Sequence, residues 1–108
     1  MINIEQFKEI EIRIGTIINA EKIEGLDKIL KLTVDLGEES HRTILSGIAL
    51  TYTDPNILIG QQLPFVTNLE TRIIKGFESQ GMILAIGNPD DVVLLNPNKK
   101  IPPGSLVG

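Results

Sequence analysis

A short polar segment, Gly76-Phe77-Glu78-Ser79-Gln80-Gly81, is the first candidate for chemistry in this chain. Its serine lies between two glycines, as in the nucleophile elbow of hydrolases, but that motif has a single residue between the first glycine and the serine. Here Phe77 and Glu78 both intervene, and no helical pattern follows. The segment is therefore either a plain turn or a loop that presents Ser79 and backbone N–H groups to a ligand.

The other residues with catalytic or metal-binding potential are isolated. The only histidine, His41, begins a predicted strand beside Arg42, and it would need the fold to bring a serine to it. Asp90 and Asp91 follow Asn88-Pro89, a combination typical of turns, whereas calcium loops space their oxygen ligands more widely. We therefore expect no enzymatic activity, no metal site and no cofactor.

Several cations could form a phosphate-binding surface if the fold gathered them. They are Arg13, Lys31, Arg42, Arg72 and Lys75. The first three lie on successive predicted strands, and the other two precede Gly76. A groove lined by such side chains can bind phosphates even on an acidic protein. The alternative is that they are ordinary solvent-facing charges, and Glu70 and Glu78 in the same loop would weaken a patch.

Composition indicates a folded β protein. Hydrophobic residues make up 42% of the 108 residues and charged residues 22%, which argues against disorder. Aromatic residues are only 4%, so the core must consist mainly of Ile, Leu and Val. Branched aliphatic side chains favour strands. The length suits one domain, residues 1–108.

Charge and the lack of cysteine indicate the environment. The net charge is −4, which lowers the expectation of nucleic-acid binding, although a local basic patch would be enough. Cysteine is absent, which is compatible with a reducing compartment. The first ten residues lack a secretory pattern, and no apolar stretch approaches the length that spans a bilayer. We expect a soluble cytoplasmic protein without a membrane partner.

Alternating residues predict the first strands. Ile10, Ile12 and Ile14 share one face of a strand whose pattern loosens after Gly15, which predicts a bulge or bend there. A second strand alternates four apolar residues with polar ones, namely Leu30, Leu32, Val34 and Leu36. A hairpin loop at 37–40 leads to a returning strand in "HRTILSGIA".

The second half is predicted to begin with a short helical connection. Asp54 or Thr53 would cap it, with Pro55 in its first turn. "QQLPFVTN" is predicted as a strand, and Pro64 indicates that it is edge-exposed or irregular at that point. "GMILAIG" and "VVLL" are predicted as the last strands, joined by a turn. The proline-rich tail should be irregular, with Ile101, Leu106 and Val107 available for docking.

Short strands separated by turns, with one helical insertion after the third strand, favour a small barrel. The prediction is an all-β fold with a short helix, specifically the five-stranded Greek-key oligonucleotide/oligosaccharide-binding (OB) fold. A β-sandwich of similar size is the competing architecture.

Four stretches resemble the tRNA-binding domain that occurs as a stand-alone protein and as the C-terminal part or β subunit of methionyl-tRNA synthetases. They are "EIRIGTIINAEKI", "DKILKLTVDLGEESHRTILSGIAL", "VTNLETRIIKGFESQGMILA" and "IPPGS". The segment from Gly76 to Met82 is the most specific, supported by Ser46-Gly47-Ile48 and Asn68-Leu69. The resemblance implies a homodimeric OB-fold barrel with extra C-terminal elements at the dimer interface, and it implies that the protein recognises tRNA by shape.

The resemblance also implies which residues bind RNA. The matching positions are Lys31, Arg42, Ser46, Asn68, Arg72, Lys75, Ser79 and Met82. The cations would hold phosphates, Asn68 and Ser79 would bond sugar or base edges, and Met82 would support an unstacked base or pack. The implied partners are tRNA and a methionyl-tRNA synthetase acting in trans.

Two departures from the family pattern leave a second reading open. Where the family often has a Leu-Lys-Pro-Arg-Lys-like run, this chain has Glu70 and Ile73, and Glu24-Gly25 replaces a common His-Pro pair. One branch of the family resembles a protein-export chaperone that binds peptides. An acidic chain with an uncharged Ile73 suits that alternative.

Overall fold

Ten short strands and two single-turn helices form the fold, and the computed structural model describes all residues from 1 to 108. The helices are α1, Ile4–Phe7, and a 3₁₀ helix, Pro55–Leu58. The strands are β1 Ile12–Ile23, β2 Leu26–Asp35, β3 Arg42–Ser46, β4 Gln62–Val66, β5 Arg72–Ile74, β6 Phe77–Ser79, β7 Met82–Ile83, β8 Ala85–Asn88, β9 Asp91–Leu94 and β10 Leu106–Val107.

The main sheet has the order β3-β2-β1-β4-β7, and all its pairs are antiparallel. The long strand β1 pairs with β2 along its second half and with β4 along its first half, as the first strand of an OB fold does. β10 adds to β1, while β5–β6 and β8–β9 form separate hairpins. The mostly-β fold with a short helix, predicted as an OB fold with C-terminal additions, is confirmed.

The bulge predicted where the pattern loosens after Gly15 is present in β1, two to three residues beyond the glycine itself. Gly15 pairs in regular register with Leu63, and the register shifts between Ile17 and Asn19 and again between Lys22 and Ile23. Gly15 instead relieves crowding inside the barrel, because a Cβ there would lie 2.4 Å from a methyl carbon of Val34. The alternation of apolar residues is interrupted at Gly15 because Val34 leaves no room for a side chain, and the bulge lies further along the strand.

The core lies between the sheet and the 3₁₀ helix. The alternating residues of β2 are buried as predicted, and they pack with Ile17, Ile44, Leu58, Leu63 and Phe65, all fully buried. The 3₁₀ helix begins as predicted, since the Asp54 side chain caps it by accepting from the N–H of Asn56 and Pro55 occupies its first turn. Leu58 is the residue that this helix contributes to the core.

The prediction that Pro64 marks an edge strand is wrong. β4 is buried along its whole length between β1 and β7. The β1 residue paired with Pro64 is Ile14, whose N–H and C=O bond Ser105 and Gly104 on the side of β1 away from β4. Pro64 therefore forfeits no hydrogen bond to β1. Its nitrogen, which carries no hydrogen, faces the side where the short strand β7 ends at Ile83.

The C-terminal part differs from the prediction in detail. "GMILAIG" is divided between β7 and β8, and β8 turns away to pair with β9. The tail is mostly irregular as predicted. Its Leu106 and Val107 dock on β1 through the backbone as β10, but their side chains stay exposed. No helix in the structure combines the length and apolar character needed to cross a membrane.

Candidate functional site

The segment with candidate chemistry forms a β-hairpin rather than the predicted loop. β5 and β6 pair from Arg72↔Ser79 to Ile74↔Phe77, which leaves Lys75 and Gly76 as a two-residue turn. Both turn residues have positive φ, 52° and 86°. This is the combination that type I′ hairpin turns require.

Ser79 is a buried structural residue at the end of this hairpin. Its hydroxyl accepts the N–H of Leu45 at 3.0 Å and donates to the carbonyl of Gly81 at 3.1 Å. The next residue, Gln80, bonds Thr43 with both its backbone N–H and its side-chain oxygen. Together they satisfy the free edge of β3, which would otherwise present unpaired polar groups. Gln80 was not predicted from the sequence.

Arg42, the first residue of β3, also links this strand to its neighbours. Its guanidinium donates to the carbonyls of Thr67 at 2.6 Å and Gln80 at 3.2 Å, and it forms a bidentate pair with Glu38 at 2.8 Å for both bonds. Its side chain is less than a quarter exposed. A guanidinium with this many protein partners holds β3 to the ends of β4 and β6.

Lys31 and Arg42 do not share a face of the sheet, so the fold does not gather these two cations on one surface. Lys31 pairs with Leu45, whereas Arg42 pairs with Val34, an odd number of residues away along β2. Because strand side chains alternate, the two cations project to opposite sides of the sheet. Lys31 remains on the outer side, 3.8 Å from a carboxylate oxygen of Glu21.

Asn68 fixes the N-terminal segment against the end of β4. Its side chain accepts the N–H of Glu11 and donates to the carbonyl of Glu9, at 2.8 and 2.7 Å. Glu11 in turn accepts from Arg13 at 2.8 Å and from the hydroxyl of Thr67 at 2.7 Å. These bonds, led by that from Arg13, lower the pKa of Glu11 below its ordinary value.

Ser46 is buried on the core side of β3, opposite Leu30. Its hydroxyl has no hydrogen-bond partner, the one buried side-chain polar atom of which this is true.

Of the eight predicted site residues, Asn68, Arg72, Lys75 and Met82 are exposed, Lys31 and Arg42 are half-buried, and Ser46 and Ser79 are buried. Arg72 makes one long bond, 3.5 Å, to the carbonyl of Gly81. Lys75 makes no ion pair or side-chain hydrogen bond, and neither does Met82. Arg42, Asn68 and Ser79 have their side-chain polar groups engaged by other parts of the chain. Lys31, Arg72, Lys75 and Met82 make at most one long polar contact each, so their side chains are the ones available to a ligand.

A second feature is an apolar groove between α1 and β10. Its volume is about 370 Å³, and Ile4, Phe7, Ile10, Leu106 and Val107 supply its apolar lining. No residue of α1 is buried. The helix therefore exposes its apolar side chains, Phe7 at 40% for example, beside those of β10.

The enzymatic and metal-binding candidates stay apart. His41 is exposed, and no hydrogen bond joins it to Ser79, whose hydroxyl is already engaged. Asp91 pairs with Asn88 across the β8–β9 turn. No three acidic or histidine side chains converge as a metal site would require.

The fold and the exposed cations define a small OB-fold protein of the kind that binds nucleic acid or peptide at its surface. Residues 12–106 match the family model described as a putative tRNA binding domain. The match covers most of the chain, and this chain belongs to that family.

The relatives include parts of larger proteins. A methionine–tRNA ligase of Methanothrix thermoacetophila is 47% identical over 104 residues, and one of Helicobacter pylori is 45% identical over 106 residues. The alignments cover 96% and 98% of this chain but only 15% and 16% of the relatives.

Two solved structures have the same extent as this chain. A MetRS-related protein from Pyrococcus horikoshii has a TM-score of 0.90, with 100% of this chain and 98% of that chain covered. The chaperone CsaA from Bacillus anthracis has a TM-score of 0.88, with 100% and 99% covered. Each is 34% identical in sequence to this chain.

Proposed function

We propose that this chain is a non-catalytic module that binds tRNA by shape and backbone and acts in trans with a methionyl-tRNA synthetase in the cytoplasm. The observation that carries the proposal is membership of the tRNA-binding family, joined to 47% identity with one region of a methionine–tRNA ligase. That region is 15% of the ligase, so a stand-alone copy would supply tRNA binding without the rest of such an enzyme.

The exposed cations give the proposal its chemistry. Lys31, Arg72 and Lys75 would contact phosphates, and Met82 would lie against an unstacked base. Structured RNA hides its major-groove edges, so a protein reads it through backbone, 2′-hydroxyls and exposed bases. Arg42, Ser46, Asn68 and Ser79 would act indirectly, because they hold the strands that carry these four side chains.

A homodimer belongs to the same proposal. The groove between α1 and β10 leaves apolar side chains uncovered, and a second copy of the chain would bury them. Two copies would also double the number of cations facing one tRNA, which raises affinity without any new kind of contact.

The test is a fluorescence-anisotropy titration with bulk tRNA at low and moderate salt, with duplex DNA as the control. Three phosphate contacts predict a loss of affinity of roughly 20- to 40-fold between 50 and 200 mM salt. Weaker binding to the duplex is expected at both concentrations. No binding to tRNA at the lower salt would overturn the proposal.

A second candidate function is a peptide-binding export chaperone. It is favoured by the likeness to chaperone CsaA over the whole chain and by Ile73, which is 64% exposed where the tRNA-binding pattern often has a cation. Capture of an apolar peptide should be almost indifferent to salt, unlike phosphate binding. A labelled apolar peptide titrated under the same two salt conditions separates the candidates.

A further inference from the structure

The tip of the β5–β6 hairpin faces the turn between β1 and β2, and a cleft of about 270 Å³ lies between them. Its lining is Gly25, Leu26, Asp27, Lys28, Ile29 and Lys75. Lys28 is exposed, makes no ion pair, and was not among the residues predicted from the sequence. The fold therefore brings together two cations that lie 47 positions apart in the chain (75 − 28).

Lys75 occupies a backbone conformation that lysine does not favour. It takes the first position of the type I′ turn with a φ of 52°. Asn, Asp and Gly are the residues that suit this position, because a Cβ crowds the backbone in the left-handed region. An asparagine would make the turn more readily, so what lysine adds at the tip is its ammonium group.

The backbone around the cleft is open. A Cβ at Gly25 or at Gly76 would meet no atom within 4 Å. A ligand can therefore approach both turns closely without meeting a side chain. Two ammonium groups and the carboxylate of Asp27 leave the cleft with one net positive charge, which favours an anion.

We propose that Lys28 and Lys75 together bind a phosphodiester of the RNA backbone in this cleft, which makes Lys28 an RNA-binding residue. This inference rests on the proposed tRNA binding. Lysine is a compact point charge that contacts phosphate without reading bases. The carbonyl of Lys28 accepts the N–H of Ala49 at 3.3 Å, so the start of β2 is anchored to the segment that follows β3.

The two lysines can be tested with variants that leave the fold intact. Lys75→Asn removes the charge and supplies a residue that the turn favours, and Lys28→Gln removes the charge from an exposed position. Lys99→Gln is the matched control, since Lys99 lines a different cleft with Gly60 and Gln62. Each protein is titrated with bulk tRNA over a series of salt concentrations, and its thermal unfolding is recorded.

The double variant should reduce the slope of log affinity against log salt by about 0.7 to 0.9, because the two lysines share one phosphate, and each single variant should reduce it by part of that amount. Extrapolated from a 1 M reference, one lost contact corresponds to roughly five- to eightfold weaker binding at 0.1 M salt. Lys99→Gln should change neither quantity, and Lys75→Asn should unfold at the same or a higher temperature.

Different failures have different meanings. If the unaltered protein binds tRNA and both cleft variants keep its full salt slope, the assignment of this cleft is wrong while the proposed function stands. If the unaltered protein does not bind tRNA, the proposed function falls and the cleft assignment falls with it. A lower unfolding temperature for Lys75→Asn would overturn the argument from backbone strain.

Discussion

The hydroxyl of Ser79 accepts the backbone N–H of Leu45 at a distance of 3.0 Å, across the gap between β6 and the free edge of β3. A side chain thus takes the place of a neighbouring strand. Because Ser79 is fully buried, the serine of the Gly76–Gly81 segment serves the fold and cannot reach a ligand. In the proposed mode of binding, the segment contributes through Lys75 at the tip of the hairpin.

Ser79→Ala should destabilise the protein by about 1–3 kcal/mol, because it leaves the N–H of Leu45 and the carbonyl of Gly81 buried without this partner. Urea unfolding monitored by circular dichroism measures the change. Ser40→Ala is the matched control, since Ser40 is exposed in the loop between β2 and β3. Equal midpoints for the two variants would contradict the structural role.

Gly15→Ala should cost about 1–3 kcal/mol of stability, because the added methyl group would lie 2.4 Å from a side-chain carbon of Val34. Gly47→Ala is the control. Its nearest neighbour, the carbonyl oxygen of Lys28, would be 4.0 Å from the new Cβ. That variant should be neutral or slightly stabilised, because alanine restricts the unfolded chain. A Gly15→Ala protein as stable as the control would contradict the packing argument.

Much of the fold could be predicted because the relevant signals are local. The alternation in β2 and the Asp54-Pro55 start of the 3₁₀ helix depend on neighbouring residues alone. The position of the bulge near Gly15 and the position of Pro64 within the sheet were harder to predict, because the effects of both residues depend on partners that are distant in the sequence. Gly15 is small to accommodate Val34, and Pro64 is tolerated because β7 stops early beside it.

The site was harder to predict for the same reason. A residue's type indicates what it can bind but not whether the fold has already used it. Arg42 has the chemistry of a phosphate ligand, yet its guanidinium is occupied by Glu38 and two carbonyls. Lys28 and Lys75 come together only when the hairpin lies against the β1–β2 turn. No sequence pattern signals that contact.

The dependence of stability on pH should include a contribution from Glu11. Its folded pKa is lowered, first by the hydrogen bond from Arg13 and next by that from Thr67. The stabilisation is therefore fully present above the unfolded pKa, near 4.5, and is lost as the pH falls through the lower folded value. Glu11→Gln should be less stable than the unaltered protein at neutral pH, and the difference should shrink at about pH 3. Urea midpoints at both pH values measure this, and a constant difference would contradict it.

The proposed homodimer predicts a mass in solution of twice the 11.9 kDa of one chain. Phe7→Glu should convert it to a monomer, because the substitution places a carboxylate in the apolar groove between α1 and β10. The fold should survive, since no residue of α1 is buried within one chain. Light scattering gives the mass, and circular dichroism verifies the fold.

Ile57→Glu is the control for this experiment. Ile57 is 56% exposed on the 3₁₀ helix and does not line the groove, so this variant should remain a dimer. If the dimer dissociates in both variants, the contact is not confined to the groove. If the unaltered protein already has the mass of one chain at micromolar concentration, the groove between α1 and β10 is not an interface between copies. The doubling of cations on one tRNA would then be lost from the proposed mode of binding.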